Sequence, residues 1–382
     1  MAHSIKPSNA PTHPGAAAHS DAQFIKSRIH FDPYAQARAT NTRLPVVQIP
    51  ATFWDGLQPQ VQKLTPAATA ALPAADVLVI TWTTAETQAL SAVFTGNHDF
   101  KTTWYPYKHN AATFLNETPA AIINESANAD SLKLGIVGYY TAVTFNGKKV
   151  NLFKSEFHPA DDGDKLPIID LIVQAATETN PSLVITTGTA GAIGSYLEVG
   201  DAVITGKARF FLMSPMSYAA YPGITNGLEL SSTASFKMDY VTKANSSATS
   251  LVKQDLTDIA QQKKYPGPTR NPAIFYNNVP NAVKYDAVSA NGFSLDDKAN
   301  TDGLQQLGVF NEMNDAFVAF ALSQNAATKK LPWLSIRNMS EPQAPDLSKA
   351  TKTEWENMYT AFGLYTTYNS AFACWAVICG LH

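Results

Sequence analysis

The chain has 382 residues, 45% of them hydrophobic and 15% charged, with a formal net charge of −3 and two cysteines. This balance suits a folded protein of one large domain or two modest ones. It lacks the long Lys/Arg run that nucleic-acid binding by phosphate neutralisation needs. Two cysteines exclude a disulfide framework and argue against a zinc site; Cys374 and Cys379 read as small buried hydrophobes.

Residues 1 to 72 are rich in Pro, Ala, Thr and His, with weak periodicity. They read as an N-terminal extension, first disordered and then draped on the core, where Phe53, Trp54 and Leu57 would dock. His3, His13 and His19 read as part of a solvated tail rather than as a metal site. The N-terminus has no apolar run of the signal-peptide kind, and the apolar segment from Phe372 to Leu381 is too short and interrupted to span a bilayer. A cytoplasmic location, away from membranes, is the expectation.

Residues 73–382 read as one α/β domain. Val77 to Thr81 is a β-branched strand, and Ala85 to Phe94 follows with helical spacing. Leu134 to Val137 reads as a strand. Ala142 to Phe145 and Val150 to Phe153 form a hairpin across Asn146-Gly147. Ile168 to Thr177 carries one apolar face and reads as a helix. Residues 211–280 are polar and punctuated by Pro and Gly, with one helical segment from Ala248 to Gln262. A strand over Ala287 to Phe293, a helix over Phe310 to Gln324, a strand over Trp333 to Arg337 and a long helix over Trp355 to Leu381 complete the order. No internal repeat is visible.

The most informative stretch is Leu183 to Phe210. An apolar strand enters a loop holding Gly188, Gly191 and Gly194, and a second strand, Ala202 to Ile204, follows the Gly200-Asp201 turn. Clustered glycines at a strand end let a ligand approach the backbone. Thr187 to Gly194 comes close to the TGxxxGxG loop of short-chain dehydrogenases. Against that reading, Ala192 stands where Gly is needed, and much α/β pattern precedes the loop. No Tyr-xxx-Lys pair occurs, and a strand follows where a helix should.

The same stretch resembles the nucleoside phosphorylase/nucleosidase superfamily, most closely its methylthioadenosine/S-adenosylhomocysteine nucleosidase branch. Thr187-Gly188-Thr189-Ala190-Gly191-Ala192 stands for a TGSAGG-like loop. Leu197 to Val203 stands for L-x-VGD-x-V, and Lys207-Ala208-Arg209-Phe210 for an EARY-like segment. In the family's order, Glu86 opens the helix after the first strand, and Val288 to Phe293 matches SGD-x-F. Glu312-Met313-Asn314-Asp315-Ala316 matches EMEAA, and Leu334 to Glu341 matches an IR-x-x-SD strand end. The resemblance runs from Asp76 to Leu381.

It implies a phosphorylase-like three-layer fold with a central mixed twisted sheet, partly closed towards a barrel and flanked by helices. It implies a homo-oligomer, no cofactor, and a purine nucleoside or nucleotide as substrate. Breaking an N-glycosidic bond needs a group that activates water and an acid that assists the leaving base. The resemblance gives these roles to Glu86 and Glu341. Glu341 replaces the family's aspartate and is one methylene longer. Asn314 replaces a glutamate that holds the ribose hydroxyls; it keeps one acceptor and loses the charge. Thr189, Ala190, Gly191, Phe293, Met313 and Arg209 would bind substrate, with Phe293 stacking on the base. Residues 211–280 would build the 5′ wall. Phosphorolysis needs a phosphate cradle, but the loop after the first strand lacks glycine and the chain has six arginines, so hydrolysis is favoured. Binding without turnover is the rival, because Asn314 and Glu341 replace the usual acids.

Overall fold

The structure is a computed structural model that describes residues 16–40, 44, 47–163, 165–213, 221–247, 249–282 and 284–382. His3 and His13, and the side chain of His19, lie outside the described residues.

The N-terminal part holds helices α1 (Ala16–His30), α2 (Pro33–Ala39) and α3 (Ala51–Trp54) and strand β1 (Gln60–Val61). The first half of the core follows with β2 (Val77–Thr81), α4 (Thr84–Thr95), α5 (Phe100–Thr103), β3 (Tyr105–Tyr107), α6 (Ala111–Leu115), α7 (Ala120–Glu125) and α8 (Ala129–Lys133). Then come the hairpin β4 (Gly138–Phe145) and β5 (Lys148–Ser155), α9 (Pro159–Asp162) and α10 (Ile168–Thr179). The middle contains β6 (Leu183–Ala192), β7 (Ala202–Thr205), β8 (Lys207–Phe211), β9 (Glu229–Ser231), α11 (Asp239–Ser247), α12 (Thr249–Lys263) and β10 (Ile274–Tyr276). The chain ends with β11 (Ala287–Ala290), β12 (Phe310–Glu312), α13 (Asp315–Ser323), β13 (Trp333–Glu341) and α14 (Lys349–Gly380).

The strands form one mixed sheet in the order β1-β4-β5-β2-β6-β12-β11-β8-β9. A second branch leaves β6 through β13 to β7 and β10. On one edge, β6 pairs in parallel with β2 over Leu183 to Thr186, then antiparallel with β12 at Gly191 and Ala192. Its other edge is covered by β13 along its length. Between Thr186 and Gly191 the first edge therefore lies open, where β2 has left and β12 has not yet joined.

Alternation along β2 explains the layering. Val77 and Val79 face a core shared with Ala89, Leu90 and Val93 of α4 and with Phe372 and Trp375 of α14. Leu78 and Ile80 face the opposite core, with Ile168 and Leu171 of α10 and Phe317 of α13. Each fully buried side chain of this kind contributes ~1.5–3 kcal/mol, so neither face can be left bare. The expected architecture, a central mixed sheet flanked by helices, is the one observed. Among the described residues no helix is long and apolar enough to cross a membrane.

Five expectations for local structure need correction. The glycine stretch is not a loop: β6 runs through Ala192, because β13 supplies backbone partners alongside it. Leu134 to Val137 is no strand. Leu134 is exposed, Gly135 takes a positive φ of 68°, and pairing begins only at Gly138. The strand begun at Ala287 stops at Ala290, short of Phe293. Phe310 to Glu312 is strand rather than helix, fixed between β11 and β6; helix starts at Asp315. Among the described residues, 211–280 hold two helices, α11 and α12, both packed on α14.

Candidate active site

The open edge of β6 lies beside the end of β2, where Thr83 caps α4. Thr83 and Glu86 form a capping box: the Glu86 amide donates to Thr83 Oγ1 at 3.4 Å and the Thr83 amide donates to Glu86 Oε2 at 3.0 Å. The other carboxylate oxygen, Oε1, accepts from the Thr189 amide at 2.8 Å and its hydroxyl at 2.7 Å. Glu86 thus bridges α4 and the unpaired edge of β6. Gly188 makes room for it, with φ at 150° and an added Cβ only 2.6 Å from the Glu86 carboxyl carbon.

Opposite stands the β12–α13 junction. Asn314 occupies the N-cap position of α13, yet its side chain makes no capping bond. Glu312 caps instead, accepting from the amides of Asn314 and, at 2.9 Å, Asp315. This leaves the Asn314 Oδ1 buried and without a partner, on the cavity wall. Asn311 Oδ1 is also unpartnered, while its Nδ2 donates to Ser294 Oγ at 2.7 Å. A Cβ on Gly191 would come within 2.7 Å of that oxygen, so the backbone there must stay bare.

Arg337 of β13 lies beneath both walls, 1% exposed. Its Nε donates to Asp315 at 3.0 Å and its Nη2 at 2.5 Å, with Glu312 at 3.4 Å. Burial alone would lower its pKa, but Asp315 and Glu312 more than reverse that. Burial, and then repulsion from Asp315, push Glu312 up to about 8 against the pull of Arg337. His158, just past β5, is driven down to about 3 by burial and the nearby cations, so its imidazole is neutral, and its Nδ1 has no partner.

The fourth wall comes from α1. Ile25, Arg28 and Ile29 close the cavity, leaving about 30 Å³ free, room for a single water. The Arg28 guanidinium lies 4.9 Å from the centre of the Phe293 ring and 4.1 Å from that of Tyr359. It pairs with Glu341 Oε1 at 2.8 Å. Burial raises the Glu341 pKa, and Arg28 opposes the rise.

Of the residues singled out from the sequence, Glu86, Thr189, Ala190, Gly191, Phe293, Met313 and Asn314 line this one cavity. Glu341 does not; its carboxylate sits behind Arg28. Arg209 is elsewhere. It lies on β8 and pairs with Glu229 and, at 3.1 Å, Asp286, an ion pair that ties the sheet's far edge together. Among the described residues, none of 211–280 lines the cavity, because α11 and α12 pack on α14 instead. Arg28, Ile25, Ile29, Thr83, His158, Asn311 and Arg337 line it without having been singled out. Arg337 lies inside the Leu334 to Glu341 strand-end motif and His158 follows an apolar strand, which are usable signals. Nothing local marks Arg28.

No family model matches the chain, and no curated protein sequence matches it. Solved structures do. The 5′-methylthioadenosine/S-adenosylhomocysteine nucleosidase from Neisseria meningitidis, in complex with methylthio-immucillin-A, is 14% identical with a TM-score of 0.45, covering 80% of this chain and 99% of that one. Futalosine hydrolase of Helicobacter pylori is 11% identical with a TM-score of 0.45, covering 79% and 97%. The corresponding nucleosidase from Colwellia psychrerythraea, in complex with adenine, is 14% identical with a TM-score of 0.43, covering 79% and 96%. The chemistry of this chain is read from its own side chains.

Proposed function

We propose that the cavity binds a purine nucleoside or nucleotide and hydrolyses its N-glycosidic bond. The observation that carries this reading is Asn314. Glu312 has taken over the capping of α13, so a buried amide oxygen faces the cavity with no protein donor. A buried acceptor of this kind costs free energy until a donor reaches it, and ribose hydroxyls are donors.

Glu86 lies across the same cavity, held at both oxygens by Thr83 and Thr189. In this reading it orients a water and takes its proton as the water oxygen bonds to C1′. The bond from C1′ to the base nitrogen breaks, and its electron pair leaves with the base. Glu341, which burial biases towards the protonated form, supplies the proton the base needs once Arg28 has left its place between the two. Phe293 offers the aromatic face for the base. Water fits better than phosphate, because both guanidinium groups on the cavity wall are already paired, Arg28 with Glu341 and Arg337 with Asp315. The homo-oligomer and cytoplasmic location implied by the resemblance belong to the same proposal.

The pair between Arg28 and Glu341 favours a second reading, binding without turnover. Incubation with adenosine, methylthioadenosine, adenosylhomocysteine, inosine and ATP, with and without phosphate, separates the two. Hydrolysis releases free base without phosphate, and Glu86→Gln abolishes the release. Nucleoside binding with no free base from any of them overturns the enzymatic reading.

A further inference from the structure

We propose that α1 is a self-inhibitory plug, which must leave its seat before a nucleoside can enter the cavity. This rests on the reading above for the identity of the ligand, but not for the closure itself. With α1 seated, the cavity keeps about 30 Å³, which no nucleoside fits. The space is taken by Ile25, Arg28 and Ile29, all three buried, from a segment that precedes the α/β core in the chain.

The seat is specific. Arg28 lies over the face of Phe293, the ring offered to the base, and its charge neutralises Glu341, the group offered as acid. Phe24 adds an edge contact to the same ring at 4.8 Å. One side chain therefore blocks the stacking position and pairs with the acid, opposing the rise that burial gives its pKa. Departure of α1 would vacate both, and would leave a buried Glu341 without its cation, favouring the protonated form that can donate.

Outside the seat the polar hold on α1 is slight: the partly exposed Lys26 donates to the Glu125 carbonyl and reaches Asp161 at 3.7 Å. Asp32, just beyond α1, accepts from Gln88 at 2.8 Å and stays outside the cavity, a tether about which the helix can swing.

The test uses the full chain with a thiol at Ser294→Cys, on the cavity wall. A maleimide reports access to that position with no nucleoside involved. The buried Cys374 and Cys379 set a background measured in the chain that keeps Ser294. Two variants loosen α1: Ile29→Asp puts a charge into an apolar seat, and Arg28→Ala removes the pair with Glu341. Loss of one such anchor should raise the labelling rate about tenfold or more. A non-hydrolysable adenosine C-nucleoside, titrated in parallel, should bind the variants more tightly than the parent by a similar factor. Faster labelling with no nucleoside binding supports the plug and sinks the proposed function. Unchanged labelling in both variants overturns the plug, and equal nucleoside binding by parent and variants then leaves the proposed function standing.

Discussion

Asp315→Ala tests the electrostatic frame beneath the cavity. Asp315 accepts from Thr186 Oγ1, from Ser335 Oγ and from both Nε and Nη2 of Arg337. Arg337 is 1% exposed, so water cannot replace what alanine removes. Glu312 remains as a counter-ion, at 3.4 Å rather than 2.5 Å. Stripping one partner from a buried pair costs ~3–5 kcal/mol. Two hydroxyls lose acceptors as well, at ~1 kcal/mol each, although both can rotate to others. We expect a loss of ~4 kcal/mol in urea unfolding followed by tryptophan fluorescence. The double variant Asp315→Leu/Arg337→Met should recover much of it, since a buried pair exchanged for apolar groups is near neutral. A loss under ~1 kcal/mol in the single variant, or a double variant no better than the single, would refute the reasoning.

Three further outcomes follow from the geometry. Gly188→Ala places a methyl 2.6 Å from the Glu86 carboxyl at a φ of 150°; it should destabilise by at least ~1–3 kcal/mol and displace Glu86, read by unfolding and by loss of nucleoside binding. Asp162 is raised to about 7 by burial and then by Asp161, against an unfolded carboxyl near 3.9. Its stabilising contribution is full below the unfolded value and is lost as pH rises to 7. Asp162→Asn should therefore gain on the parent by up to ~4 kcal/mol between pH 4 and pH 7 in pH-dependent unfolding. His158, lowered to about 3, acts with the opposite sign: its contribution is full above 6.5 and fades as pH falls towards 3. His158→Gln should flatten that acid limb, and an unchanged limb would argue against a buried neutral imidazole.

Much of the fold could be read in the chain because its central strands are apolar on both faces. Val77 to Thr81 and the start of β6 are flanked by helices on either side, and such burial leaves continuous β-branched runs. The Asn146-Gly147 turn was legible for a local reason: both residues take positive φ, at 48° and 70°. Phe310 to Glu312 misleads because its apolar spacing runs on into α13, and only pairing with β11 and with the end of β6 makes it strand. At the site, Glu86 and Thr189 were named through the family resemblance rather than from spacing, and both line the cavity. Arg28 was not, because its role depends on Phe293, Glu341 and Tyr359, far along the chain. Asn314 was identified as a departure, but its freedom from capping is a fact of three dimensions.

The most direct test of the proposed nucleoside pocket is a crystal structure of the full chain with a bound, non-hydrolysable adenosine C-nucleoside. The account predicts a ribose hydroxyl within hydrogen-bond distance, ~2.7 Å, of Asn314 Oδ1. It also predicts the base against Phe293 in the place Arg28 now fills, and a water beside Glu86. A nucleoside bound elsewhere, or bound here with Asn314 Oδ1 still unpartnered, would contradict it.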